Sequence, residues 1–208
     1  MLKLSEIYTI GHSNYSFDKL VEMLKKYEVN CVIDIRAVPY SKYNDHFDKE
    51  IIKYSLNKAG LTYIYMGYEF GAKRDNRSTY NEMGYCDFNK LIFDDQFLKG
   101  IDRLKKGLQK GYKIALLGAM KEPIRCPRSI LLGRYLEDIG IRVKHIVHSG
   151  EIKTQVEIEH MLLEKYFPDR NQITIEDLIG TKRTEKEMIE EGYRIANKEI
   201  GYRLEHKK

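Results

Sequence analysis

The chain has 208 residues, 42% hydrophobic and 32% charged, which suits one well-cored domain with a tail and is too short for two large ones. Lys and Arg number 36 against 31 Asp and Glu, so an anionic partner is permitted and not demanded. No apolar run nears the roughly 18 residues that span a bilayer, no signal-peptide core opens the chain, and three cysteines without CxxC spacing exclude a disulfide framework or zinc knuckle. The expectation is a cytoplasmic protein with no membrane contact and no cofactor.

The first apolar β-branched run, residues 7–11, breaks off into Gly11-His12-Ser13, which delivers an imidazole, a hydroxyl and backbone N–H groups to one sheet edge. Ser16 then caps a helix that places Phe17, Leu20, Val21, Leu24 and Tyr27 on one face. A second strand over 31–36 ends in Asp34 and Arg36. A helix from Asp48 with Ile52, Leu56 and Ala59 inward closes at Gly60, and a third strand covers 62–66. Residues 67–93 form a long, polar, Tyr-containing insertion, and its length and aromatic content read as a lid over a site. A helix from Asp94-Asp95 with Phe97, Ile101, Leu104 and Leu108 inward stops at Gly111.

A fourth strand over 113–118 leads to Arg125-Cys126-Pro127-Arg128 and a helix carrying Leu131, Leu132, Tyr135, Leu136 and Ile139. A fifth covers 142–147. Alternating strands and helices with short connections predict an α/β three-layer sandwich with a mainly parallel central sheet of about five strands, plus C-terminal helices. Capping boxes at Thr154 and Thr184 open those helices, the second charge-rich and suited to solvation, packing on the domain or self-association. The expected division is an α/β domain over 1–167 and a helical extension over 168–208.

In a parallel sheet the polar strand ends gather at one rim, where ligands bind in open α/β sheets. Pro127 suits the first helical position and puts Cys126 at the cap, at the positive end of a helix dipole between Arg125 and Arg128. That setting favours a thiolate nucleophile, and it equally makes a phosphate or carboxylate site with no covalent role for the thiol, the preferred reading of the two. Asp34 and Arg36 alternate along one strand, which argues against a mutual bidentate pair and leaves Asp34 to orient His12 from a neighbouring strand and Arg36 to bind an anion. His12 is a candidate general acid or base. Each of these groups also has a structural alternative: a satisfied histidine, a loop-capping aspartate, an unreactive cap. His145 and His148 lack a third ligand, so no metal site is read, and Cys31 is read as core.

Thr9-Ile10-Gly11-His12-Ser13, then Asp34, Arg36, Pro39 and Ser41, Asn44 with Phe47, Gly67 and Gly71, and Cys126-Pro127-Arg128-Ser129 together resemble the domain-of-unknown-function family 488, over roughly residues 7–167. The resemblance implies a small α/β protein without an established activity. The family's usual Cys-x-Glu after the fourth strand is here Gly118 and Met120, and its Cys-His-Arg is Cys126-Pro127-Arg128. The expected site comprises His12, Asp34 and Cys126 as catalytic residues and Gly11, Ser13, Arg36, Ser41, Tyr68, Arg125 and Arg128 as substrate contacts. The expected function is a hydrolase or transferase acting on a nucleotide, nucleic acid or other phosphorylated small molecule. The alternatives are a noncatalytic nucleotide or nucleic-acid binding module and a rhodanese-like sulfur carrier using Cys126, against which the seven residues between Gly118 and Cys126 count.

Overall fold

A computed structural model describes residues 5–40, 44–172 and 183–204. Six strands form one sheet: β1 (Glu6–Gly11), β2 (Cys31–Asp34), β3 (Thr62–Tyr65), β4 (Ile114–Gly118), β5 (Arg142–Ile146) and β6 (Ile152–Thr154). Their spatial order is β3-β2-β4-β1-β5-β6. The first five are parallel, and β6 pairs antiparallel with β5 at the edge. β6 exceeds the expected count of about five because three residues are too few to show alternation. Gly11 is the register partner of Gly118, and Asp34 pairs with both Leu117 and Tyr65, so the carboxyl ends of β1 to β4 lie at one edge.

The strands are apolar on both faces, as a doubly covered sheet requires. Tyr8, Ile10, Val32, Ala115 and Leu117 meet helices α1 (Phe17–Lys26) and α2 (Lys49–Lys58). Ile7, Cys31, Ile33, Ile114 and Leu116 meet the other layer. That layer contains α5 (Asp95–Gln109), a π-helical turn Arg128–Gly133 running into α6 (Arg134–Asp138), α7 (Gln155–Tyr166) and α8 (Glu185–Ile200). Ser16 caps α1 through Lys19 N, Asp94 caps α5 through Gln96 N and Phe97 N, and both threonine capping boxes form. α8 does not stand apart from the domain, because Tyr193 and Ala196 are buried in the same core as α5 and α7.

The 67–93 segment is not a lid. It folds into α3 (Gly67–Phe70), a 3₁₀ turn Arg77–Thr79 and α4 (Phe88–Leu91), and buries Phe70, Tyr80, Cys86, Phe88 and Leu91 in the core. The buried Arg74 guanidinium organises it, bonding the carbonyls of Tyr68 and Glu69 and pairing with Asp94, while Tyr80 Oη donates to Arg74 O at 3.0 Å. Asn197 of α8 clamps its far end, accepting from Phe88 N and donating to Cys86 O, both at 2.9 Å. A segment whose polar groups are satisfied inward supplies its own packing and needs no ligand to order it.

Candidate functional site

β2 ends at Asp34, Ile35 N still donates to Leu117 O at 3.1 Å, and the chain bends at Ala37 and Val38. Asp34 and Arg36 lie on one face as strand alternation places them, and the expectation against a mutual bidentate pair is overturned. Arg36 Nε donates to Asp34 Oδ1 at 2.9 Å and Nη2 to Oδ2 at 2.6 Å, while the Arg36 amide also donates to Oδ1 at 3.1 Å. Tyr63 of β3 adds its hydroxyl to Oδ2 at 2.8 Å, and Phe47 O takes a further bond from Arg36 Nη2. Asp34 is fully buried, and these donors replace the water it loses. Tyr63 and Phe47 lie outside the expected site; the Tyr63-Ile64-Tyr65 alternation is the signal that points Tyr63 at the sheet face beside β2.

The expected direct contact of Asp34 with His12 is also corrected. β4 lies between β1 and β2, so the two residues do not sit on adjacent strands, and Arg36 bridges the gap. Arg36 Nη1 donates to His12 Nε2 at 3.2 Å, and His12 Nδ1 bonds Ser13 O at 2.8 Å, which assigns the proton to Nδ1. The ring stacks on Phe47 with centroids 4.3 Å apart. Burial, reinforced by the Arg36 charge, lowers the His12 pKa to about 4. At neutral pH this imidazole is uncharged with both nitrogens engaged, so in this state it neither offers an acidic proton nor has a free lone pair.

Arg128 lies deep, with no exposed surface. Its Nη1 bonds Met120 O and its Nη2 donates to Lys121 O at 3.0 Å. Its Nε has no acceptor, and among the described residues no carboxylate pairs with it. The side chain crosses both strand ends. A Cβ on Gly11 would stand 2.4 Å from Arg128 Nη1 and 1.8 Å from Met120 O, and one on Gly118 would stand 3.6 Å from Arg128 Cδ. Arg128 is therefore a clamp on the 119–121 loop.

Cys126 is extended and accepts from Ser129 N and Ile130 N through its carbonyl, so it does begin the helical turn ahead of Pro127. Its thiol folds back against the end of β4: a Cβ on Gly118 would meet Sγ at 2.6 Å. The eight-residue separation in sequence thus closes in space. Cys126 and Gly118, with Ile35, Arg36, Val38 and Met120 among others, wall a pocket of about 190 Å³ at the ends of β2 and β4. Its walls are mainly apolar, and Arg36 and Cys126 are its titratable members. Burial pushes the Cys31 thiol up to about 11 and the Cys86 thiol up to about 12.

The remaining expected residues scatter around this pocket. Ser13 is half-buried with φ +47°, a left-handed conformation uncommon for serine, and its hydroxyl donates to Asn14 Oδ1. Tyr68 is exposed and meets Tyr65 edge to face at 5.3 Å. Arg125 is exposed and reaches the field of Glu199 on α8, away from the pocket walls. Ser41 lies outside the described residues. His145 is held between Thr9 Oγ1 at 2.8 Å and Gln155 Oε1 at 2.7 Å, and His148 stacks on Tyr15.

Against known families, residues 16–135, more than half of the chain, match the family described as domain of unknown function DUF488, and the chain belongs to it. The matched span includes Asp34, Arg36, Cys126 and Arg128 and begins after Gly11-His12-Ser13. No curated protein and no solved structure matches the chain.

Proposed function

We propose that this member of the DUF488 family binds a small molecule bearing a phosphoryl or other anionic group at the strand-end pocket and presents it to the Cys126 thiol, as a transferase or hydrolase. The observation that carries this reading is the position of Cys126 Sγ against Gly118, on the wall shared with Arg36. A nucleophile at the carboxyl edge of a parallel sheet stands where such folds bind ligands. Asp34 neutralises Arg36, so support for an anion comes from Arg128, a buried positive charge with only carbonyls as partners. An anionic ligand supplies the missing counter-charge.

The His12 geometry favours a second reading, a binding module without turnover, since the pocket walls hold no group free to shuttle a proton. The Sγ contact with Gly118 likewise supports the sulfur-carrier reading by removing the distance that counted against it. Alkylation of Cys126, mapped by mass spectrometry with and without millimolar phosphate or nucleotide, tests the site. Ligand protection of Cys126, abolished by Val38→Glu at the exposed mouth and retained by Val156→Glu on α7, is the expected result. Unchanged labelling with every ligand overturns the pocket, and binding retained by Cys126→Ser without detectable turnover in either protein selects the binding module.

A further inference from the structure

Four large apolar side chains stand in water around this pocket. Val38 and Met120 belong to its walls, and Tyr40 and Tyr68 are 54% and 68% exposed. They come from the loops after β2 and β4 and from α3, which follows β3. Tyr65 ties them to the site, because its hydroxyl donates to Arg36 O at 3.1 Å while its ring carries Tyr68 on one edge and Lys49 Nζ at 4.1 Å. Tyr40 bonds Glu50 through its hydroxyl, which leaves its ring face open. Exposed Lys121 follows Met120, its carbonyl fixed by Arg128.

We infer that the ligand is a nucleotide unit, its base stacked on Tyr68 or Tyr40 and its phosphate turned towards the positive field of Arg128 and Lys121. This rests on the pocket reading above. Tyr65 meets Tyr68 and bonds the carbonyls of Arg36 and Ala37, two residues of the pocket wall, which sets the exposed Tyr68 ring beside the cleft. Phenol faces interleaved with cations suit an aromatic base attached to a phosphate, since stacking takes any base and the cations take the backbone. An aliphatic ligand has no such use for two flat phenols. The pocket of about 190 Å³ receives one end of the ligand, and the shelf outside it receives the ring.

The test is fluorescence anisotropy of a labelled twelve-residue oligothymidylate, competed by thymidine monophosphate and by inorganic phosphate, on the full chain. Tyr68→Ala and Tyr40→Ala alter exposed side chains, and circular dichroism confirms their fold. The tyrosine that carries the base should weaken nucleotide binding on the order of tenfold when truncated, and Phe should restore it. Tyr112→Ala, at the opposite edge of the sheet, should leave binding unchanged. Equal dependence of monophosphate and oligonucleotide on the tyrosine identifies a free nucleotide as the ligand, and dependence seen with the oligonucleotide alone identifies a strand. Phosphate protection of Cys126 with no tyrosine effect overturns the stacked base and leaves the pocket standing. Absence of any protection and any binding overturns both.

Discussion

Gly11 and Gly118 are register partners at the ends of β1 and β4, and both lie beneath the Arg128 side chain. Two side chains of any size here would lift Arg128 away from the carbonyls it holds. The glycines and the arginine form one device, which shapes the 119–121 loop and brings a positive charge under the strand-end rim.

Gly11→Ala should accordingly destabilise the protein by about 1–3 kcal/mol, the usual cost of overpacking a filled interior. The added methyl would stand 1.8 Å from a backbone oxygen, which cannot swing aside as a flexible side chain does. Gly60→Ala is the comparison that separates crowding from backbone strain, since a Cβ there meets nothing yet φ is +81°. Urea midpoints measure both. A smaller loss for Gly11 than for Gly60 would mean that the Arg128 clamp yields easily.

Asp34→Asn should cost about 3–5 kcal/mol, because it leaves the buried Arg36 cation without its counter-charge. Four donors converge on this carboxylate, and an amide can accept from only part of that set. Tyr63→Phe removes one hydroxyl and should cost about 1 kcal/mol. The two variants together form a ranking that denaturant melts can read, and a Tyr63 effect equal to that of Asp34 would place the main anchor in the wrong residue.

Much of the architecture was legible because it rests on local physics. Apolar runs, Ser16, Asp94 and the threonine boxes announce strands and helix starts within a few residues of where they form. Strand order is different, since it is decided by which faces pack. His12 and Asp34 both sit at strand ends, and nothing local reveals that β4 separates them and that Arg36 spans the gap. The 67–93 segment misled for a related reason: its polar residues suggest solvent, yet Arg74 and Asp94, twenty residues apart, satisfy each other inside. Cys126 was recognised from Pro127 beside it, and its contact with Gly118 comes from a long-range return of the chain that spacing does not encode.

Two buried histidines make stability depend on pH. The pKa values of His12 and His145 are lowered to about 4 and about 3, chiefly by burial, from an unperturbed 6.5. Below 6.5 the unfolded chain therefore binds more protons than the folded one. The stabilisation is full above pH 6.5 and is lost as pH falls towards the folded values, by up to about 1.4 kcal/mol per pH unit for each histidine. Urea midpoints should drop between pH 7.5 and 5, and His145→Asn should flatten that slope while lowering stability at pH 7.5. An unchanged slope in the variant would show that His145 is protonated in the folded state or compensated elsewhere.

Thiol chemistry gives the sharpest comparison between the three cysteines. All are buried, and what distinguishes Cys126 is its place on the wall of the strand-end pocket beside Arg36. A small alkylating agent at pH 7.5 should therefore modify Cys126 first in the native protein, and all three at similar rates in urea. Peptide mapping of a time course reads the order directly. Cys31 is the informative competitor, because it borders a separate crevice with Arg103 and Lys106 and has its own approach from solvent. Labelling of Cys31 ahead of Cys126 would show that access to the strand-end pocket is closed, and the nucleophile assigned to it would have to be given up.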